Sequence, residues 1–188
     1  MNGQPVTQSE VRQGPHWMVR LDECLPEVPP AVAAWLFEPG LLTERLRACC
    51  DGRPGLSVIS EAEAPLAAHD AEVLKVSGNA VFVREIELTC DGRPWVFAQT
   101  LIPQATLARQ RWLSSLGRAA LGERLAAVPG LERGPLEFTR LIAGDRLYHR
   151  ALRERSDPPP SLWARRSWFA IAGDRLLVQE VFLPEAHA

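Results

Sequence analysis

The stretch AVFVREIELTCDGRPWVFAQTLIP, from Ala80 to Pro103, restricts the possible fold of this chain more than any other. Two runs rich in Val, Ile, Phe and Trp flank an Asp-Gly pair, which is a strong signal for a β-hairpin. A type I′ turn suits Asp91 and Gly92 because both central positions of that turn need a positive φ. The stretch is therefore predicted to form two antiparallel strands joined by a two-residue loop.

Alternation along this hairpin predicts a charge on an apolar face. With the two-residue loop, Arg84 is placed opposite Gln99, and because side chains two residues apart point the same way, both fall on the apolar side. That side is predicted to contain Ile86, Leu88, Cys90, Trp95 and Phe97, and the other side Glu85, Glu87, Thr89, Val96 and Thr100. A guanidinium is costly to desolvate, so Arg84 needs a partner or a ligand there.

A second stretch near the end of the chain, WARRSWFAIAGDRLLVQEVFLP, has the same plan. A loop at Ala172-Gly173 places Arg165 opposite Glu180, whereas a loop at Gly173-Asp174 would place Ser167 there. The sequence leaves both loops open. The predicted apolar face contains Ser167, Phe169, Ile171, Leu176, Val178, Glu180 and Phe182. A charge pair again lies among apolar neighbours.

Length and charge narrow the class of protein. With 188 residues and 46% hydrophobic content, we expect one domain over 1–188 with a substantial core. A net charge of -2 and a pI near 6.1 provide no basic excess for a polyanion, so no nucleic-acid partner is expected. No apolar stretch approaches a membrane span, and the start lacks a charged segment followed by an apolar run. We expect a cytoplasmic protein.

The cysteines and histidines show no metal-binding spacing. They are Cys24, Cys49, Cys50 and Cys90, with His16, His69, His149 and His187 scattered along the chain. Reduced, structural thiols are favoured over a disulfide framework or a zinc site, given the compartment and the spacing. No metal site is predicted.

Two pairs of short helices are predicted between the strands. Residues around Ala33 and Leu36 fit one helix, Glu38-Pro39-Gly40 breaks it, and a second helix fits Leu41, Leu42, Glu44, Leu46 and Arg47. A similar pair follows Pro103, with a break at Gly117. Simple packing across a sheet is the plainer interpretation of both pairs.

The rest of the chain predicts further strands and two irregular regions. Leu56 to Ser60 and Leu136 to Ala143 are predicted strands, and Val73 to Val76 fits an extended segment. Residues 1–29 are predicted to form a loosely ordered arm, and 144–162 an exposed excursion that adds nothing to the core. Strands joined by hairpins with helices between them predict an α+β domain with a largely antiparallel sheet.

The inward charges allow two interpretations. If both hairpins belong to one sheet, Arg84, Gln99, Arg165 and Glu180 meet. An arginine paired with Glu180 would then be a buried ion pair that fixes strand register. Alternatively, two guanidiniums and one carboxylate leave a surplus positive charge for an anionic ligand, such as an aromatic or cyclic carboxylic acid.

Four segments carry a resemblance to a known family: WLFEPGLLTERLR, FVREIELTCDGRPWVFAQTLIP, LGRAALGERL and RRSWFAIAGDRLLVQEVFLP. In order and spacing they resemble bacterial chorismate pyruvate-lyase, which makes 4-hydroxybenzoate for ubiquinone. The resemblance runs from about Trp35 to Pro184. It implies an antiparallel sheet with an internal ligand cavity closed by two helix-turn-helix flaps, which are the two predicted helical pairs.

The resemblance also assigns roles to residues. Arg84 falls on the arginine that binds the ring carboxylate, and Glu180 on the glutamate near the product hydroxyl. Backbone amides at Leu42 and Leu121 correspond to those that help hold the ligand. Leu42 replaces a methionine, which matters little if only its backbone is used.

Two positions need separate treatment. Gln99 stands where some relatives have an arginine, so cationic help there is in question. Arg165, from its predicted cross-strand pairing with Glu180, is a hypothetical partner for the side-chain carboxylate of chorismate or a group that tunes Glu180.

The implied reaction needs neither metal nor redox cofactor, because loss of pyruvate from chorismate aromatises the ring. We expect a monomer that binds only small molecules, chorismate and 4-hydroxybenzoate. The main alternative is a non-catalytic effector-binding domain for an aromatic carboxylic acid, as in some bacterial transcription regulators. A third possibility is an interaction protein whose inward charges are structural.

Overall fold

The computed structural model describes residues 14–19, 28–78, 80–153 and 155–187. Most of the arm predicted over 1–29, including Cys24, lies outside these ranges. The described residues form one domain around a seven-stranded sheet, and each strand pair described is antiparallel. The predicted α+β class with its antiparallel sheet is confirmed. No helix in the described ranges is long and apolar enough to cross a membrane.

The strands of the sheet follow the order β1-β2-β3-β7-β6-β4, and β5 also pairs with β6. Their bounds are β1 (Pro54–Pro65), β2 (Ala80–Cys90), β3 (Arg93–Pro103), β4 (Glu132–Arg133), β5 (Glu137–Leu141), β6 (Leu162–Ile171) and β7 (Asp174–Phe182). The helices are α1 (Pro30–Leu36), α2 (Leu42–Cys49), α3 (Ala68–Leu74), α4 (Gln104–Arg109), α5 (Leu121–Ala126) and α6 (Arg146–Leu152), with 3-10 helices at Arg111–Ser115 and Pro184–His187.

Both predicted hairpins are present. Asp91 and Gly92 have φ values of 48° and 78°, and Ala172 and Gly173 have 50° and 85°, as type I′ turns require. The second loop is therefore Ala172-Gly173, and it pairs Arg165 with Glu180. The alternative loop at Gly173-Asp174 is excluded.

The first hairpin departs from its predicted register. Thr89 pairs with Pro94 but Leu88 pairs with Val96, so Trp95 is an extra residue in β3. Proline cannot donate a hydrogen bond to a neighbouring strand, and bulges are among the few places in a sheet that tolerate it.

Because of this extra residue, every later side chain of β3 lies on the face of the sheet opposite to the predicted one. Arg84 pairs with Thr100, and Gln99 pairs with Glu85. The predicted faces are therefore wrong for Val96, Phe97, Gln99 and Thr100. Val96 packs in the cluster that contains Leu88, while Phe97 packs on the opposite side of the sheet.

The two predicted helical pairs cover one face of the sheet. We call residues 30–49, with α1 and α2, flap 1, and residues 104–126, with α4 and α5, flap 2. Trp35, Leu36 and Leu46 of flap 1 pack in one apolar cluster with Phe182. In flap 2, the residues that pack in a second cluster with Ile171 and Leu176 are Leu113, Leu116, Leu121 and Leu125.

The opposite face carries two helices that the sequence did not predict. Within the supposed excursion 144–162, the helix α6 buries Leu147, Tyr148, Ala151 and Leu152. The prediction that this segment adds nothing to the core was wrong, because the apolar residues recur at helical spacing between solvent-facing charges. The expectation of an extended Val73 to Val76 was also wrong, because α3 extends to Leu74.

The cysteines were also predicted incorrectly. Cys50, directly after α2, forms a disulfide with Cys90 at the end of β2, with a Cα–Cα distance of 5.7 Å. Cys49 is exposed and unpaired. Spacing along the chain carried no sign of this bond, because only the packing of flap 1 on the sheet brings the two residues together.

We expect this disulfide to contribute measurably to stability. It closes a loop across a sequence separation of 40 residues, for which chain entropy predicts about 3–4 kcal/mol. Cys90→Ser should lower the free energy of unfolding, measured in urea, by about 3–4 kcal/mol. A reductant should lower the free energy of unfolding of the wild type to the same value. The control Cys49→Ser should have the same free energy of unfolding as the wild type. If a reductant leaves the free energy of unfolding of the wild type unchanged, the prediction is contradicted.

Candidate active site

A cavity of about 310 Å³ lies between the two flaps and the sheet. The smallest ligand pockets in proteins have volumes of about 300 Å³, so this cavity has room for a small ring compound. Its walls include the turn of flap 1 and the first residues of α2, the start of α5 in flap 2, and sheet residues of β2, β3, β6 and β7. Most of the lining is apolar, and the polar lining residues are Thr43, Glu44, Thr100, Arg133, Arg165, Ser167 and Glu180.

Arg165 and Glu180 form the polar part of the sheet wall. Arg165 donates from Nε to Oε2 of Glu180 at 2.6 Å, as their cross-strand pairing requires. The side chain of Arg165 is 2% exposed and that of Glu180 is 20% exposed. The buried guanidinium of Arg165 therefore fixes the orientation of the Glu180 carboxylate, which remains partly exposed in the wall of the cavity.

The same guanidinium also holds flap 1. Its Nη1 donates to the backbone carbonyl of Glu38 at 2.6 Å, with longer contacts to those of Trp35 and Leu36. The Glu38 carboxylate in turn accepts from the amide of Gly40 at 2.9 Å, and this bond, with Arg45 nearby, lowers the pKa of Glu38. Arg165 thus connects the candidate catalytic carboxylate with the turn of flap 1.

Arg84 holds flap 2 in a comparable way. Its buried guanidinium pairs with the carboxylate of Glu61, and its Nη2 donates to the carbonyl of Gly117 at 2.8 Å and that of Ala119 at 3.3 Å. The cross-strand partner Thr100 lines the cavity, so Arg84 lies on the correct face of the sheet. Arg84 itself does not line the cavity, and its charge is engaged by Glu61 and by the flap 2 carbonyls.

Leu42 and Leu121, to which the resemblance assigns ligand-binding backbone amides, lie on opposite flaps. Each is the first residue of its helix, α2 or α5, and each lines the cavity. The amides in the first turn of a helix have no partner within that helix. Two backbone N–H groups, one from each flap, are thus available near the space between them.

Gln99 does not belong to this cavity. The bulge places it on the other face, where its Nε2 donates to Oε1 of Glu85 at 2.8 Å. Glu85 also accepts from Arg150 and Ser60, and these residues line a separate cavity of about 820 Å³. The prediction that Gln99 shares a face with Arg84 and Glu180 was wrong, since the sheet lies between Gln99 and Glu180.

Arg133 is a cavity residue that the sequence did not reveal. It lies in the two-residue strand β4, donates from Nη1 to the carbonyl of Pro39 at 3.2 Å, and lies 5.4 Å above the ring of Phe169. Partial burial lowers the pKa of Arg133, and the charge of Arg165 adds to this effect. A strand of two residues has no detectable periodicity, so no pattern could have marked this position.

Within the ranges that the structure describes, no three His, Cys, Asp or Glu residues are grouped to hold a metal ion. The polar groups around the cavity are two guanidiniums, the carboxylates of Glu44 and Glu180, hydroxyls and backbone amides. Such a set can bind a small organic anion and move a proton.

The family model for chorismate lyase matches residues 16–187. The chain belongs to the chorismate lyase family. It is 41% identical to a probable chorismate pyruvate-lyase from Dechloromonas aromatica (strain RCB) over 157 residues, 82% of this chain and 88% of the relative. It is 37% identical to a probable chorismate pyruvate-lyase from Azoarcus sp. (strain BH72) over 183 residues, 91% of this chain and 92% of the relative.

Solved structures of similar fold come from transcription regulators. The chain is similar to PhnF from Mycobacterium smegmatis, with a TM-score of 0.55 and 15% identity over 81% of this chain and 67% of that one. It is also similar to the C-terminal domain of a histidine utilization repressor from Pseudomonas syringae, with a TM-score of 0.52 and 13% identity over 72% and 95% of the two chains. At this identity the likeness shows the fold alone.

The dual role of Arg165 leads to a stability prediction. Arg165→Met removes the partner of Glu180 and the donor to the carbonyl of Glu38, leaving both without a hydrogen bond. Loss of one partner of a buried pair costs about 3–5 kcal/mol, although the partial exposure of Glu180 points to the lower end. Urea unfolding should show this loss, whereas the control Arg124→Met, on the exposed side of α5, should unfold as wild type does.

Proposed function

We propose that this protein is a chorismate pyruvate-lyase that converts chorismate into 4-hydroxybenzoate and pyruvate, the first step of ubiquinone biosynthesis. The observation that carries the proposal is the flap cavity of a chain in this family, with Glu180 held at its wall by Arg165. The cavity suits one ring, and its polar groups suit an organic acid.

The reaction consists of bond breaking within one molecule. The ether bond between the ring and the enolpyruvyl group breaks, a ring carbon loses its proton, and the released enolpyruvate gains a proton to become pyruvate. Formation of a benzene ring supplies the driving force. The protein therefore has to orient the substrate and assist the transfer of protons.

Each residue of the site has a part in this proposal. Glu180 assists proton transfer, and Arg165 is a positioning residue that orients its carboxylate. Arg84 binds the ring carboxylate by exchanging its contact with Glu61 or with the flap 2 carbonyls for the ligand. The amides of Leu42 and Leu121 donate to the ligand from the two flaps.

The predicted cellular context completes the proposal. We infer a cytoplasmic enzyme that acts as a monomer on small molecules. In a reducing cytoplasm the Cys50–Cys90 disulfide would be subject to reduction, after which flap 1 would be connected to β2 by packing alone.

The decisive experiment mixes purified protein with chorismate and measures pyruvate and 4-hydroxybenzoate. Equal amounts of both products support the lyase. Binding of 4-hydroxybenzoate without turnover of chorismate would instead support an effector-binding domain of the kind found in regulators. Absence of both binding and turnover would leave only a structural role for the inward charges.

Glu180→Gln should lower kcat about 100-fold or more, because a general acid–base group contributes about that much. Binding of 4-hydroxybenzoate should change little, since the amide still accepts from Arg165 and keeps the shape of the wall. Arg84→Met should instead both raise the KM for chorismate and weaken the binding of 4-hydroxybenzoate. Unchanged kinetics in either variant would remove that residue from the proposed site, and unfolding in urea would show whether the variant is folded.

The flaps themselves lead to a prediction about product release. Arg47 of flap 1 donates to Glu123 of flap 2 at 2.6 Å, and both side chains are exposed. Such a surface pair contributes up to about 1 kcal/mol, so Glu123→Gln should speed release of 4-hydroxybenzoate about two- to fivefold. Stopped-flow release measures this rate, and high salt should have a similar effect on wild type.

The matched control for this experiment is Arg124→Gln, which changes a neighbouring exposed charge on the same helix. It should leave release unchanged. If Glu123→Gln and the control give the same rate as wild type at low and high salt, the pair does not limit opening of the flaps.

A further inference from the structure

Substrate and product of the proposed reaction differ in charge. Chorismate carries a ring carboxylate and a second carboxylate on its enolpyruvyl group, whereas 4-hydroxybenzoate keeps only the first. Two carboxylates brought into a mostly apolar cavity require two cationic partners, because an unpaired buried charge is strongly unfavourable. The proposed role of Arg84 accounts for the ring carboxylate alone.

The other buried arginine is already engaged. Arg165 gives its Nε to Glu180 and its Nη1 to the carbonyls of flap 1, so a substrate carboxylate bound in bidentate fashion would have to displace one of these two contacts. The earlier hypothesis that Arg165 holds the second carboxylate is therefore less favourable than its use as a positioning residue.

Arg133 has the charge and the freedom that this task needs. It lines the cavity, and within the described ranges no carboxylate lies at salt-bridge distance from it. Its contacts are a 3.2 Å hydrogen bond to the carbonyl of Pro39 and the face of Phe169. A guanidinium with this few contacts retains donors for a bidentate carboxylate.

We propose that Arg133 binds the enolpyruvyl carboxylate of chorismate and so distinguishes the doubly charged substrate from the singly charged product. This inference rests on the proposed lyase function and adds a specificity residue to it. Cleavage of the ether then releases the group that Arg133 holds, and the aromatic product remains without this contact.

The position of Arg133 fits this role. Strand β4 pairs with β6 at Phe169 and Ala170, which places Arg133 at the edge of the cavity beside the turn of flap 1. Burial and then the positive charge of Arg165 lower the pKa of Arg133, while the Glu180 carboxylate acts in the opposite direction. A carboxylate bound beside Arg133 relieves this repulsion and leaves the Arg165–Glu180 pair intact.

The test compares Arg133→Met and Arg133→Lys with wild type in steady-state kinetics. A charge-assisted hydrogen bond contributes about tenfold or more, so Arg133→Met should raise the KM for chorismate at least about tenfold. The Ki of 4-hydroxybenzoate should change less than about twofold, and Arg133→Lys should recover part of the loss. Arg93→Met, which changes an exposed residue beside the hairpin turn and outside the cavity lining, is the charge-matched control.

Two inert ligands make the test independent of turnover. One is 4-hydroxybenzoate with a methoxy group beside its hydroxyl, and the other carries a carboxymethoxy group at the same carbon. Calorimetry on wild type should show tighter binding of the carboxymethoxy compound, and Arg133→Met should remove that preference. If Arg133→Met weakens the binding of both compounds equally, or changes the binding of neither, the inference is overturned.

The outcomes also separate this inference from the proposed function. Failure of wild type to convert chorismate would refute the lyase, whatever the variants do. Normal conversion by wild type with an unchanged KM in Arg133→Met would refute only the role of Arg133. If Arg133→Met proves unfolded in urea, Arg133→Lys decides, because a lysine retains charge but loses the bidentate geometry that the proposal requires.

Discussion

Two buried arginines on one face of the sheet connect the strands with the flaps that cover them. Arg165 donates to carbonyls of flap 1 and to Glu180, and Arg84 donates to carbonyls of flap 2 and to Glu61. Burial of a guanidinium is unfavourable unless its donors are satisfied, and here backbone carbonyls satisfy several of them. The flaps therefore close over the sheet by supplying the carbonyl groups that accept hydrogen bonds from these arginines. The ligand cavity is the space that this arrangement leaves between the turn of flap 1, the start of α5 and the sheet.

This design links ligand binding to flap position. A substrate carboxylate that approaches Arg84 competes with the carboxylate of Glu61 and with the carbonyls of Gly117 and Ala119. Binding therefore exchanges one set of contacts for another, and its net free energy is smaller than the strength of a single charge pair suggests. The exposed pair between Arg47 and Glu123 joins the flaps on the outside, where solvent screens it. The tight internal contacts hold the flaps in shape, and the outer pair is the easier one to break.

The other face of the sheet has a polar network of its own. Asp70 accepts hydrogen bonds from Arg166 and Gln179, and burial raises the pKa of its carboxyl group. Glu85 accepts hydrogen bonds from Arg150 and from Gln99. Each carboxylate has a guanidinium partner within the described residues, so this network is internally compensated, as buried polar groups require. A residue turned to this face is separated from the flap cavity by the thickness of the sheet.

Local patterns in the sequence were sufficient to predict both hairpins, the two helical pairs and the family, whereas the structure chose between the two loops and so decided the Arg165–Glu180 pairing. Turn chemistry, strand alternation and helix breaks act between near neighbours, so the chain displays them directly. The tertiary structure alone decided the rest. A bulge at Trp95 moved Gln99 to the far face, folding of flap 1 joined Cys50 to Cys90, and a two-residue strand brought Arg133 to the cavity. These features depend on contacts between distant segments, and a one-residue change of register or a two-residue strand leaves too little periodicity for the sequence to reveal them.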